Sequence, residues 1–211
     1  ISTGIPDADS VSLSVEKFSL DGRCDGDSSK IIIRLADRYN NPVPANTAVS
    51  FTAEGGKINS ACFTGDPVAD PLTEAGVCSV LFNVQNPRPA NGRVSILASA
   101  LGEESFTDQN SNGFFDSGET IKDILEPFVD NNENGVYNSG EFFRDANGNS
   151  TYETTLNGTF EGYRCDSPGV NCRSVTTPIG QNIVISFSDG RPVASALAGN
   201  QAVYQVSSSG M

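Results

Sequence analysis

Residues 30–37 read KIIIRLAD, and in this run Ile31, Ile33 and Leu35 occupy every second position. Successive side chains of a β-strand point to opposite faces of a sheet, so this spacing predicts a strand with one buried face. The same alternation predicts further strands within 11–15, 47–54, 77–84, 93–100 and 182–188. Short strands separated by Gly, Pro, Asn and Asp are typical of an antiparallel β-sandwich. We therefore predict an all-β fold.

The alternation stops at Gly102 and resumes near Ile183, which predicts an insertion before the last strand. A long unstructured loop is uncommon inside a compact domain, so the insertion needs its own source of order, which metal ions can supply. We divide the chain into a linker or extended segment (1–10), a β-sandwich (11–190), and an extended segment or the start of a next domain (191–211). Within the sandwich, 103–153 form a predicted ion-binding insertion and 154–181 a predicted disulfide-bearing loop.

Most of the charge of the chain lies in this insertion. The formal net charge is −13, from 26 acidic and 13 basic residues, and residues 103–153 hold twelve of the acids but only Lys122 and Arg144 as bases. Such a segment attracts cations and repels nucleic acid and anionic membrane surfaces, so neither is an expected partner. No apolar run approaches the roughly 20 residues of a membrane-spanning helix, so direct membrane insertion is not expected.

Two segments of the insertion match the twelve-residue calcium loop of EF-hand type. Such loops place oxygen-bearing side chains at positions 1, 3, 5 and 9, Gly at 6, a backbone carbonyl at 7 and a bidentate Glu at 12. In residues 108–119 (DQNSNGFFDSGE), the predicted ligands are Asp108, Asn110, Asn112, Phe114 by its carbonyl, Asp116 and Glu119. In residues 130–141 (DNNENGVYNSGE), they are Asp130, Asn132, Asn134, Val136 by its carbonyl, Asn138 and Glu141. The sequence therefore predicts two or more calcium ions.

A third, partial loop begins at Asp145. Its predicted ligands are Asp145, Asn147, Asn149, Thr151 by its carbonyl, and Glu153. Ser150 replaces the Gly of position 6 and Leu156 replaces the closing Glu, so we expect this site to be incomplete or closed by a residue from elsewhere. An acid follows each full loop by four residues, as Asp123 and Asp145. We include Asp123 as a ligand that connects neighbouring sites into a string of ions.

The surroundings of the loops favour a structural role over a switching role. Residues 120–128 (TIKDILEPF) contain a candidate short helix before Pro127, but only three residues separate Glu141 from Asp145, so the helix–loop–helix lever of calcium switches is missing. The alternative to metal binding is a set of solvated Asx turns. In that case the repulsion among so many carboxylates would go uncompensated.

Five cysteines indicate an oxidising compartment. We predict the disulfides Cys62–Cys78 and Cys165–Cys172, because the members of each pair flank a turn-rich loop, and we leave Cys24 as the odd thiol. The alternative is that all five are free thiols. The chain has no histidine and no Cys-x-x-Cys spacing, which argues against a structural zinc site.

Residues 35–58 (LADRYNNPVPANTAVSFTAEGGKI) resemble the bacterial immunoglobulin-like group 1 domain of invasin- and intimin-type adhesins. The likeness lies in Asp37 at a strand end, in the turn 41–43 (Asn-Pro-Val) and in the Gly pair 55–56. Residues 62–119 are similar to tandem immunoglobulin-like surface proteins of Gram-negative bacteria, in which an Asp/Asn-rich calcium insertion precedes the last strand. The resemblance implies an extracellular module at the bacterial cell surface, with neighbouring modules or identical subunits as partners.

These features lead us to expect a non-catalytic, calcium-stabilised structural or adhesive module. One alternative is a subunit of an extracellular fibre that assembles by strand addition. Another is a calcium-dependent carbohydrate-binding module, in which Tyr137, Tyr152 and Tyr163 stack on a surface glycan, although the chain has no Trp for this purpose. An enzyme is not expected, because without histidine there is no Ser-His or Cys-His nucleophile pair and most acids fall in ligand positions.

Overall fold

The computed structural model of the 211-residue chain describes residues 3–66, 74–165 and 171–189. These residues form an all-β fold with thirteen strands, one 3₁₀ turn at Ala8–Ser10 and no α-helix. The strands are β1 (Val11–Val15), β2 (Ser19–Asp21), β3 (Ser28–Leu35), β4 (Ala48–Ala53), β5 (Lys57–Ile58), β6 (Ala61–Phe63), β7 (Val77–Asn83), β8 (Arg93–Gly102), β9 (Ser105–Thr107), β10 (Thr120–Lys122), β11 (Phe160–Glu161), β12 (Cys172–Arg173) and β13 (Thr177–Ser188). No helix in the described ranges is long and apolar enough to cross a membrane. The terminal segment 191–211 lies outside the described residues.

Nine of the strands form two sheets. The first sheet has the order β1-β3-β7-β5, and all its neighbouring strands are antiparallel. The second has the order β2-β13-β8-β4-β6, in which only the β2–β13 pair is parallel. On β3, Ile31, Ile33 and Leu35 are buried whereas Arg34 is exposed, as the alternation in KIIIRLAD predicts.

The two sheets enclose a single hydrophobic core. The first sheet contributes Ile33 and Phe82, and the second contributes Phe51, Ile96 and Ile185, all of them at most 3% exposed. Burial of each such side chain stabilises the fold by about 1.5–3 kcal/mol. These contacts hold the sheets face to face and leave the loops at their ends.

Strand β8 is buried on both faces, because its outer face is covered by the chain that follows it. Ser95 Oγ donates a hydrogen bond to the carbonyl oxygen of Asp130 (2.5 Å), and Arg144 Nε donates to Ser99 Oγ (3.0 Å). A Cβ atom added to Gly180 on β13 would lie 2.9 Å from Cβ of Pro127, so only glycine allows the chain to approach the sheet this closely. The predicted insertion therefore lies against the second sheet.

Residues 103–176 lie between β8 and β13 and contain the two remaining strand pairs, β9–β10 (antiparallel) and β11–β12 (parallel). The short helix expected between residue 120 and Pro127 is wrong, since residues 120–122 form β10. Ile121 pairs there with Phe106 and packs into a small aromatic core with Phe115 and Phe160, contacts that a helix would break. Strand β13 begins at Thr177, so it includes the last residues of the segment 154–181.

Both predicted disulfides are confirmed. Cys62 on β6 and Cys78 on β7 have their sulfur atoms 2.07 Å apart and join the two sheets, and Cys165 and Cys172 also lie within bonding distance. Cys24 is exposed and is the free cysteine, as the odd count predicts.

Replacing Cys62 and Cys78 together by alanine is expected to lower the free energy of unfolding by about 3 kcal/mol, because the disulfide constrains the unfolded chain across a separation of 16 residues. Guanidinium denaturation followed by circular dichroism measures the difference. The matched control is Cys24→Ala, which removes an exposed, unpaired thiol and should leave the midpoint unchanged. Equal midpoints for the double variant and the control would contradict the prediction.

Candidate metal centre

Hydrogen bonds to its own backbone fold the first loop, residues 108–119. Glu119 Oε1 accepts from the amide of Gln109 (2.8 Å), which draws the two ends of the loop together, and Glu119 Oε2 accepts from the amide of Asp116 (3.0 Å). Asp108 Oδ2 accepts from the amide of Gly113 (2.8 Å), whose φ of +81° is the left-handed conformation expected at position 6. The carboxylate of Asp108 (position 1) is therefore held by the amide of position 6, and the carboxylate of Glu119 (position 12) by the amides of positions 2 and 9.

The two asparagines of the first loop complete this arrangement. Asn110 Oδ1 accepts from the amide of Asn112 (2.9 Å), and Asn112 Oδ1 accepts from the amide of Phe114 (2.7 Å). The Nδ2 groups of both asparagines donate to Asp116 Oδ2, at 2.6 and 2.8 Å. The side chains of positions 3, 5 and 9 thus meet at one place.

The second loop, residues 130–141, makes the same hydrogen bonds at the same positions. Glu141 accepts from the amides of Asn131 (2.9 Å) and Asn138 (2.7 Å), as Glu119 does from positions 2 and 9 of its loop. Asp130 Oδ2 accepts from the amide of Gly135 (2.7 Å), whose φ is +76°. Two segments that match in sequence therefore also match in conformation.

The asparagines of the second loop also follow the first. Asn132 and Asn134 donate through Nδ2 to Asn138 Oδ1, at 2.7 and 2.9 Å. Asn134 Oδ1 accepts from the amide of Val136 (2.8 Å), the residue whose carbonyl is the predicted ligand of position 7. The predicted ligands of each full loop therefore lie within one hydrogen-bonded loop.

The third loop begins at Asp145 and adopts the same conformation without a Gly at position 6. Asp145 Oδ2 accepts from the amide of Ser150 (2.7 Å), and Ser150 has a φ of +60°. Asn147 and Asn149 donate through Nδ2 to Glu153 Oε1, at 2.7 and 2.6 Å. Asn149 Oδ1 accepts from the amide of Thr151 (2.6 Å).

Glu126 closes this third loop from outside. Its Oε1 accepts from the amide of Ala146 (2.7 Å), and its Oε2 accepts from the amide of Glu153 (3.3 Å). These amides are positions 2 and 9, the same two that Glu119 and Glu141 use in their own loops. Glu126 therefore stands where position 12 would place a carboxylate, and Leu156 is not needed there.

Reasoning from a single twelve-residue window missed Glu126, although the sequence carries a signal for it. Residues 126–130 (EPFVD) and 141–145 (EFFRD) share the pattern Glu-x-Phe-x-Asp. Phe128 and Phe143 form an antiparallel bridge, so the two segments lie side by side. The Glu of each segment closes one loop while its Asp opens another.

An aromatic cluster lies beneath the second and third loops. Tyr137 and Tyr152, which both hold position 8, stack with ring centroids 4.0 Å apart and planes 12° apart. Phe128 and Phe143 pack edge-on against both tyrosines. Tyr163 is 56% exposed and belongs neither to this cluster nor to the small aromatic core of Phe106, Phe115 and Phe160. The stacked tyrosines thus bind the two loops into a pair.

Burial raises and hydrogen bonding lowers the pKa values of the carboxyl groups at the third loop. Burial raises the pKa of Glu126, and the nearby Glu153 adds to this effect. The hydrogen bond from the amide of Ser150 lowers the pKa of Asp145, and the one from the Asn147 side chain lowers that of Glu153. Burial thus disfavours the anion of Glu126, whereas hydrogen bonds favour the anions of Asp145 and Glu153.

The donors of the three loops suit a hard cation. They are carboxylate, amide and carbonyl oxygens, which are the ligands that Ca²⁺ takes in proteins and which do not suit zinc. Among the described residues, no group of three or more Asp, Glu or Cys side chains is placed to hold a metal ion. A cation in these loops would therefore depend on the asparagine side chains and backbone carbonyls for a large share of its ligands.

Asp123 is the one predicted ligand outside these three loops. Its Oδ2 accepts from the amide of Gly158 (2.6 Å), a residue far from it in the sequence. The other predicted ligands fall into the three loops as grouped by the sequence. Comparisons with known proteins add nothing to this picture, because no protein family, no curated protein and no solved structure matches the chain.

Proposed function

We propose that this chain is a non-catalytic, extracellular, calcium-stabilised structural or adhesive module of a bacterial surface protein, with an immunoglobulin-like fold. The observation that carries the proposal is the same hydrogen-bond scheme in three loops, each with a carboxylate bridging positions 2 and 9. In this proposal, calcium ions offset the repulsion of the carboxylates and make the insertion rigid. Neighbouring modules or identical subunits are the partners that such a rigid element would position.

The order of the strands supports the immunoglobulin-like part of the proposal. Immunoglobulin domains of constant type have strands A, B, E and D in one sheet and C, F and G in the other. Here β1, β3, β7 and β5 take the first set, and β4, β8 and β13 take the second, with all seven in chain order. In these terms the calcium-loop insertion lies between F and G.

The two disulfides support an extracellular location, because such bonds persist in oxidising environments. The fibre alternative depends on an end segment that completes a neighbour's sheet. Of its two candidates, 191–211 lies outside the described residues, and the segment 1–10 bonds to its own chain, where the amide of Asp7 donates to the carbonyl of Ala36 (3.0 Å). The carbohydrate alternative relied on Tyr137 and Tyr152 to stack on a sugar, and these two rings stack on each other instead. We therefore prefer the structural or adhesive module.

Calcium titration of the full chain by isothermal calorimetry tests the proposal. We expect binding of at least three ions with dissociation constants on the order of 10⁻⁴–10⁻³ M, the range of extracellular modules. Glu141→Gln should remove one of these binding events, because it takes away the carboxylate that joins positions 2 and 9 of the second loop.

The matched control is Glu133→Gln, which makes the same change of charge at position 4 of the same loop, where no ligand is required. Its binding isotherm should equal that of the parent chain. Absence of calcium binding to the parent chain at millimolar calcium would overturn the proposed function.

A further inference from the structure

The N-terminal segment, residues 3–10, is bonded by its backbone to the chain directly after β8. The amide of Ala8 donates to the carbonyl oxygen of Glu103 (3.0 Å), and the amide of Glu103 donates to the carbonyl oxygen of Pro6 (2.8 Å). These bonds make Asp7 and Glu103 partners in a parallel β-bridge. Paired backbones lie about 4.8 Å apart and the side chains of partners point to the same face, so the two acidic side chains are neighbours.

Both of these acidic side chains are buried, but they differ in their hydrogen bonds. Asp7 is 3% exposed, and its Oδ1 accepts from the amide of Asp9 (3.0 Å) and from Ser105 Oγ. Glu103 is 1% exposed, and neither of its carboxyl oxygens has a hydrogen-bond partner among the residues that the structure describes. Burial penalises the charged form of a carboxyl group, and hydrogen bonds to that form offset the penalty. The surroundings of Glu103 therefore favour its protonated form.

Charged groups from four parts of the chain face this pair. They are Asp9 in the N-terminal segment, Arg38 after β3, Lys122 on β10 and Arg164 after β11. Lys122 forms an ion pair with Asp9, and the guanidinium of Arg38 lies 3.5 Å from the ring centroid of Phe106. The amide of Tyr163 also approaches Glu103. Asp37, which is buried beside the segment, accepts from the amide of Thr3 (2.7 Å).

The ionisation of Glu103 is displaced by these surroundings. Burial, with a smaller contribution from the charge of Asp7, raises the pKa of Glu103 to about 7, although Arg38 and Arg164 act in the opposite direction. A glutamate in water has a pKa of about 4.3. A carboxyl group whose pKa is raised by attachment of the segment favours attachment at low pH, and this contribution is lost as the pH rises from about 4.3 to about 7.

We propose that pH controls the attachment of the N-terminal segment to the sandwich. While Glu103 carries a proton, the segment lies against the end of β8. Once Glu103 has lost its proton, detachment of the segment takes the charge of Asp7 away from it and admits water to its carboxylate. Neither residue is a calcium ligand in the proposed function, so the attachment depends on pH whether or not the loops bind calcium.

Hydrogen exchange of the ¹⁵N-labelled full chain from about pH 5 to about pH 8, at constant calcium, tests this control. The amides of Asp7 and Ala8 report on attachment, because they donate to the backbone outside the segment. Their protection factors are expected to fall by up to about tenfold for each pH unit below pH 7 and to level off above it, since one proton is lost. The amide of Ile96, in the middle of β8, is the reference and should not share this fall.

Glu103→Gln keeps the shape of the side chain and removes its titration, so the protection of Asp7 and Ala8 should then vary by less than about twofold over the same range. Asp7→Asn is a second variant for the case that Glu103→Gln does not fold. It should make the total fall at least about twofold smaller, because the charge of Asp7 contributes to the shift at Glu103.

The matched control is Glu16→Gln, which makes the same change at an exposed glutamate and should keep the profile of the parent chain. A flat profile in the parent chain, or a fall that neither Glu103→Gln nor Asp7→Asn alters, overturns the control of attachment by pH. Calcium binding measured by calorimetry is unaffected by either result, so the proposed function is judged separately.

Discussion

Removal of calcium with a chelator is expected to lower the melting temperature of the full chain by on the order of 20 °C. A site kept at about a hundred times its dissociation constant stabilises the folded state by about 2.7 kcal/mol. Three such sites add about 8 kcal/mol, and each kcal/mol shifts the melting temperature of a chain of this length by about 2–4 °C. Differential scanning calorimetry in about 10–100 mM calcium, roughly a hundred times the dissociation constants of extracellular modules, and in excess chelator measures the shift.

Limited proteolysis shows where the stability is lost. With chelator present, new cleavage sites should fall within residues 103–161, where the loops lie, whereas the strands of the two sheets keep their own core and disulfide. Magnesium in place of calcium is the control, because it demands a near-octahedral shell and should restore little of the protection. Identical melting temperatures and identical cleavage patterns in calcium and chelator would contradict the prediction.

Phe82→Ala is expected to lower the free energy of unfolding by about 3–5 kcal/mol, because it removes a fully buried ring from the core between the sheets. The ring packs near Phe187 across the sandwich, with centroids 6.0 Å apart, and lies against Gly56. Guanidinium denaturation at saturating calcium isolates this loss from any change in ion binding.

Leu81→Ala is the matched control, on the same strand but with its side chain 44% exposed on the other face. It should cost about 1 kcal/mol or less, as surface substitutions do. Comparable losses for the two variants would mean that β7 does not present Phe82 to the core as described.

The long strands could be predicted from the sequence, and the short ones could not. The alternation of apolar residues marks β1, β3, β4, β7, β8 and β13, because each is long enough, at five residues or more, to show a period of two. Strands β5 and β6 have two and three residues, too few for any pattern, and they exist because a longer neighbour pairs with them. The parallel pairing of β2 with β13 joins residues at opposite ends of the chain, which no local pattern indicates.

The residues of the candidate site also differ in how far the sequence predicts them. Ligands that follow one another in twelve residues were predicted, because their spacing is a property of the local chain. Glu126 acts on a loop to which it does not belong, and only the antiparallel pairing of Phe128 with Phe143 brings it there. The pattern Glu-x-Phe-x-Asp shared by 126–130 and 141–145 is the signal for it, and it becomes interpretable once the pairing is known.

The register of β8 against β13 places Gly102 directly opposite Thr177. The chain therefore leaves and re-enters the second sheet at the same place. Strands β8 and β13 form one long hairpin, and residues 103–176 are the connection between its two strands. Closing a loop costs only about 0.6 kcal/mol more for each doubling of its length. The length of the insertion therefore adds little to the cost of closing this hairpin, whereas the contacts of Asp130 and Arg144 with β8 tie the insertion to this particular sheet.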